Sequence, residues 1–179
     1  FYLMDAFAGA QIVHDSVQRP LVSGKELIVD ALPEEEEGGW MPTPFQCSLL
    51  LFILTAAATI YSIRKRTGLW GVDLILFGAA GIVGCVLAFL ALFSEHPAVS
   101  SNFLLLVFHP GQLLILPYII YCVRKGKKCW YLTLNLVVLT LFMVLFPLIP
   151  QRFDLAVVPL ALCLLIRSAS NLILTSKKK

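Results

Sequence analysis

Charge is scarce in this chain. Only 14% of its 179 residues are Asp, Glu, Lys or Arg, while 59% are hydrophobic and the mean hydropathy is +0.85. A soluble domain carries about 25% charged residues, so the shortage excludes an ordinary water-soluble globule and points to a membrane protein. Histidine is also rare, with three in all, and none stands at metal-ligand spacing. The five cysteines, Cys47, Cys85, Cys122, Cys129 and Cys163, form no CxxC. Being odd in number and scattered through apolar runs, they argue against a disulfide framework or a zinc site and read as small apolar residues. There is no HExxH, no phosphate-cradling glycine loop and no nucleophile elbow. The chain opens on Phe1, with no charged segment leading to a cleavage site. The expectation is either that a signal segment has been removed or that this is a piece of something longer.

What charge there is falls into two unlike parts. Residues 1–44 hold 2 basic and 8 acidic groups, net −6, whereas 45–179 hold 12 and 3, net +9. The second part contains five apolar stretches, at about 45–63, 69–93, 103–123, 130–147 and 155–175. Each approaches the roughly 20 residues that a helix rising 1.5 Å per residue needs to cross about 30 Å of hydrocarbon. The expected fold is therefore an all-α membrane protein, a five-helix transmembrane bundle. Arg64–Arg66, Arg124–Lys128 and Lys177–Lys179 hold 10 of the 14 basic residues, and the two other loops hold only Arg152. Lys and Arg near membrane ends stay in the cytoplasm. The N-terminus is then expected outside and the C-terminus inside. The basic clusters occur where orientation alone requires them, so no nucleic-acid partner is expected, and they lie close to anionic headgroups.

Residues 1–44 do not read as membrane. Leu3, Phe7 and Ala10 share a helical face, and Lys25–Leu32 is a short strand-like run closed by Pro33. Glu34–Glu37 form an acidic linker. This much chain makes no independent core, and it reads as a short α/β remnant, the end of an extracytoplasmic domain; a flexible acidic tail is the alternative.

Inside the spans, Ala80, Gly84 and Ala88, with Gly81 and Cys85 beside them, present a small-residue face for close helix packing. Asp73 and Arg167 are the two formal charges well inside spans. They stand about 6 and 10 Å from the same membrane end. A charge at that depth costs about 2.5–3.5 kcal/mol unless it pairs or snorkels, so the two are expected either to form a structural ion pair or to snorkel independently. Asn135, Ser168 and Asn171 are interhelical hydrogen-bond candidates. The remaining polar groups gather towards the other end. Glu95 and His96 follow the second span, Asn102 opens the third, and His109-Pro110-Gly111-Gln112 interrupts it about 9 Å from its end. Proline removes a backbone donor there, so a kink or a re-entrant segment is expected. Broken helix at membrane depth persists only where protein or a polar cavity covers it. Glu95, His96, Asn102, His109 and Gln112 are thus the substrate or lipid-headgroup candidates. Proton transfer by a histidine and purely structural roles stay open, and no residue is identified as catalytic. No metal or cofactor is implied.

Several of these stretches are similar to one family. They are Leu3–Ala10 (LMDAFAGA), Arg19–Val22 (RPLV), the second-span run with Asp73 and Gly84-Cys85, Phe93–Asn102 (FSEHPAVSSN) and Pro159–Ser168 (PLALCLLIRS). Together they resemble the Lnb-like proteins of Bacteroidota, which have an N-terminal periplasmic domain followed by five transmembrane helices. The resemblance implies the inner membrane of a Gram-negative bacterium and lipoprotein maturation. It implies transfer of a fatty acyl chain from phospholipid to the amino group of a lipidated N-terminal cysteine. The family's nucleophile is expected in a papain-like periplasmic domain, of which 1–44 would be the last helix and strand, so no catalytic residue carries over. A non-enzymatic anchor or scaffold is the alternative; a small transporter is weaker, since the spans lack a repeated half.

Overall fold

A computed structural model describes residues 10–14, 17–20, 41–93, 102–151 and 153–176. The chain divides into two units, Phe1–Met41 and Pro42–Lys179. In the first, β1 (Gln11–His14) pairs antiparallel with β2 (Val17–Pro20), Ile12 opposite Arg19 and Val13 opposite Gln18. The β-branched residues Ile12, Val13 and Val17 suit strands. The sequence reading expected a helical face over Leu3–Ala10 and a strand over Lys25–Leu32 instead. Apart from Ala10, those lie outside the described residues, as do Glu34–Glu37, Glu95 and His96.

The regular elements of the second unit, among its described residues, are all helical. α1 (Pro44–Lys65), α2 (Trp70–Phe93), α3 (Gly111–Lys125), α4 (Trp130–Leu145) and α5 (Val157–Ser176) follow in order. A 3₁₀ turn, Phe103–Leu106, precedes α3, and another, Phe146–Leu148, extends α4. With these turns counted, five segments among the described residues are long and apolar enough to cross a membrane: Pro44–Lys65, Trp70–Phe93, Phe103–Lys125, Trp130–Leu148 and Val157–Ser176.

Local chemistry sets the ends. Thr43 caps α1, its Oγ1 accepting from the Gln46 N–H at 3.2 Å while Gln46 Oε1 accepts from the Thr43 N–H at 2.9 Å, and Pro44 stands where no N–H is needed. α3 ends on Gly126, in the left-handed conformation at φ 63°, which glycine adopts without a Cβ clash. α1 ends on Arg66 at φ 53°, a position that costs any side chain but Gly some energy; Ser62 Oγ steadies the turn by donating to the Thr67 carbonyl at 2.6 Å. Pro147 halts α4 through one 3₁₀ turn rather than at once.

The interior holds an apolar cluster that includes Phe77, Ile119, Leu139, Phe142 and Leu164, but α1 inverts the pattern of a soluble helix. Every buried residue of α1 is a hydroxyl, Ser48, Thr55, Thr59 and Ser62, whereas Leu50, Ile53, Leu54 and Ile60 are exposed. Hydrocarbon gives apolar side chains no reason to leave the lipid, so small polar side chains take the seam. Half of α5 is buried, against 22–28% of each other span, which makes α5 the hub: α1 and α4 pack along it, and α2 packs along α3. The small-residue face of α2 meets the third span. A Cβ on Gly81 would lie 2.6 Å from the Leu113 nitrogen, and one on Gly84 2.5 Å from the His109 carbonyl carbon.

Candidate functional site: a buried charge clamp and a broken helix

Asp73 and Arg167 meet inside the bundle. Arg167 Nε donates to Asp73 Oδ1 at 2.8 Å and Nη2 to Oδ2 at 3.0 Å, and both side chains are fully buried. Asn171 Nδ2 donates to Oδ2 at 3.0 Å, and Arg167 Nη1 reaches Thr59 Oγ1 at 3.4 Å. The fork-on-carboxylate geometry supplies two parallel charge-assisted bonds. Asp73 also lies in the first turn of α2, where the helix dipole favours a negative charge. Next to Arg167, Ser168 Oγ accepts from Asn135 Nδ2 of α4 at 3.0 Å. Arg167, Ser168 and Asn171 fall on one side of the helix, so α5 offers a polar stripe to α1, α2 and α4 together. The carboxylate is engaged by three donors, and the cluster is built to join helices rather than to hold a ligand.

The second polar cluster sits at the break in the third span. Regular helix stops after Leu106 and resumes at Gly111. Gln112, fully buried, folds back so that its Nε2 donates to the Val107 carbonyl at 2.8 Å, satisfying a backbone group that the break exposes. Its Oε1 is buried without a partner. His109 Nε2 and the Tyr131 hydroxyl lie 3.1 Å apart. Two glycines make room for His109. Gly84 lies against its backbone, and a Cβ on Gly111 would stand 2.8 Å from its Nδ1. A histidine paired with a phenol can pass a proton or orient a polar group, but its Nε2 is already engaged.

Of the five headgroup candidates, His109 and Gln112 thus share the break. Asn102 is occupied elsewhere: its Oδ1 accepts from the Leu104 N–H at 3.0 Å and from Gln151 Nε2 at 3.2 Å, while Gln151 Oε1 accepts from the Phe103 N–H at 3.0 Å. This ties the start of the third span to the segment after α4. Sequence reasoning missed Thr59, Tyr131 and Gln151. Thr59 was within reach, because Ser48, Thr55, Thr59 and Ser62 recur at near-heptad spacing; nothing local marks Tyr131 or Gln151.

At the basic ends, the Arg124 guanidinium lies 5.3 Å over the Trp70 ring. Lys127 Nζ donates to the Tyr121 hydroxyl at 3.0 Å, and that hydrogen bond holds the ammonium above the usual lysine value. Aromatics beside cations are the usual anchors of a helix end at a membrane surface. Cys122, Cys129 and Cys163 are buried free thiols, and burial pushes the Cys129 thiol up. Among the described residues, no three His, Cys, Asp or Glu side chains are grouped to hold a metal.

A family model described as the Lnb transmembrane domain matches residues 34–179. No protein of curated function and no solved structure matches the chain.

Proposed function

The chain belongs to the Lnb transmembrane-domain family, and from that premise we propose that its bundle is the membrane module of a lipoprotein N-acyltransferase-like protein. The bundle anchors a periplasmic catalytic domain, with residues 1–44 at that domain's end, and presents lipid substrates at the outer leaflet of the bacterial inner membrane. Its N-terminus is periplasmic and its C-terminus cytoplasmic. The substrates are a phospholipid donor and a lipoprotein acceptor. The observation that carries this reading is the family match, which extends across all five spans.

The physical logic supports it. Both substrates are lipids, so the reacting groups lie at a membrane surface and the chains must be admitted sideways. A bundle with the broken third span, bearing His109 and Gln112, offers polar groups where a headgroup can be held. The second reading, a non-enzymatic anchor or scaffold, is favoured by the engagement of His109 with Tyr131 and of Asp73 with Arg167, which leaves both clusters explicable as structure alone.

Mass spectrometry of lipoprotein N-termini in a deletion strain tests the reading. Diacylated, free-amine N-termini should accumulate and should disappear when the full-length gene is restored. Fully acylated lipoproteins in the deletion strain refute the acyltransferase role. His109→Ala in the restored gene then separates the roles of the break: unchanged acylation makes it structural.

A further inference from the structure

Between α2 and α3 near the basic ends lies an open groove of about 710 Å³, within the roughly 300–1,000 Å³ range of small-molecule sites. Its wall is apolar over Leu74, Leu116, Pro117 and Ile120 and turns cationic and aromatic at one end, at Tyr121, Arg124 and Lys125. Orientation in the membrane requires only that cations be present at this end; it does not require an apolar channel leading up to them. The channel has local causes. Pro117, inside α3, supplies no N–H to the Leu113 carbonyl and so opens the helix surface. Leu116 packs over Gly78 of α2, its Cδ2 3.5 Å from where a Cβ there would stand, and forms the floor.

We infer that this groove is a binding site for an anionic phospholipid of the bilayer. An acyl chain lies along Leu74, Leu116, Pro117 and Ile120, and the phosphate meets Arg124 and Lys125. Charge complementarity selects the occupant. A zwitterionic lipid brings its own ammonium to a cationic rim, whereas an anionic headgroup meets the two cations without that repulsion. The Arg124 guanidinium is held over Trp70 and the Tyr121 hydroxyl by Lys127, so the rim is partly ordered before a lipid arrives. The site does not rest on acyl transfer: it belongs to the leaflet at the basic ends, whichever reaction the protein serves.

Native mass spectrometry of the intact, purified chain with phosphatidylglycerol or phosphatidylethanolamine of identical acyl chains tests it. Retention of phosphatidylglycerol should exceed that of phosphatidylethanolamine. It should fall about fivefold for each cation removed, roughly 25-fold in Arg124→Gln/Lys125→Gln. Arg64→Gln/Lys65→Gln removes as much charge from α1, outside the groove, and should leave retention within about twofold. Ile120→Trp fills the apolar channel and should lower retention with both cations in place; thermal melting of each variant confirms that it is folded. Equal losses in the two charge variants, or equal retention of the two lipids, overturn the site.

Discussion

Removing either half of the Asp73–Arg167 pair should cost far more than removing both. Arg167→Met leaves a carboxylate in a dry interior with one amide donor, and Asp73→Leu leaves a guanidinium with a single contact, to Thr59 at 3.4 Å. Both side chains are fully buried, so solvent does not screen the loss, and each single substitution should destabilise the bundle by about 3–5 kcal/mol. Asp73→Leu/Arg167→Met leaves no unpaired charge. Its remaining cost is the orphaned Asn171 amide, about 1–3 kcal/mol, so the double variant should be more stable than either single one. Equilibrium unfolding in mixed micelles of increasing denaturing-detergent fraction, followed by tryptophan fluorescence, measures all four corners of the cycle. Losses that add within about 0.5 kcal/mol, as for independent sites, refute the clamp. So do single losses that stay below about 1 kcal/mol. Exchanging the charges, Asp73→Arg/Arg167→Asp, should restore part of what each single reversal loses.

Three further outcomes are expected. Gly84→Ala drives a Cβ to 2.5 Å from the His109 backbone, which cannot yield as a side chain does, and should cost about 1–3 kcal/mol; Gly71→Ala, with nothing within 4 Å, should be neutral or gain up to about 1 kcal/mol, both read by thermal melting. Tyr131→Phe removes the hydroxyl that meets His109 at 3.1 Å and should cost about 0.5–1.5 kcal/mol in the same assay. A membrane-impermeant maleimide applied from outside the inner membrane should label exposed Cys47 and spare the buried Cys122, Cys129 and Cys163 until the protein is unfolded; labelling of Cys47 only from the cytoplasmic side would reverse the proposed orientation.

The five spans were legible because their cause is local. Each needs only about 20 apolar residues in a row, and the ends coincide with Thr43-Pro44, Gly126 and Pro147, whose backbone effects do not depend on context. The break at Pro110-Gly111 was legible for the same reason. Partners across the bundle are a different matter. Two lone charges at similar depth suggested Asp73 with Arg167, since hydrocarbon leaves an ion few alternatives, but the same depth was compatible with independent snorkelling. Tyr131 gave no such sign. Its phenol is an ordinary apolar ring with a hydroxyl at the tip, and only the packing of α4 against the broken span brings that tip to His109. In the N-terminal unit, Gln11–Pro20 is too short and mixed for periodicity to separate strand from loop, and the strands there went unread.

The distribution of contacts explains why the polar links matter as much as they do. α1 and α4 pack along α5, and α2 packs along α3, whereas the backbone approach between these two groups is slight. Lipid tails are as apolar as the helix faces, so no hydrophobic force draws the groups together. Asp73 of α2 crosses the divide to Arg167 and Asn171 of α5, and Tyr131 of α4 crosses it to His109. Between α1 and α2, by contrast, the wall of Leu51, Leu54, Ala58, Val72 and Ile75 is almost wholly apolar and presents lipid with a lateral cleft rather than a seal. One buried apolar cluster, with Phe77 and Ala80 of α2, Ile119 of α3, Leu139 and Phe142 of α4 and Ala161 and Leu164 of α5, fills the interior, and the directional bonds fix how the two groups register across it. Loss of the clamp should therefore loosen the α2–α5 approach while the α4–α5 and α2–α3 packing is kept. Cysteine pairs placed across the α4–α5 seam should then still crosslink in Arg167→Met, while pairs placed across the α2–α5 approach should not.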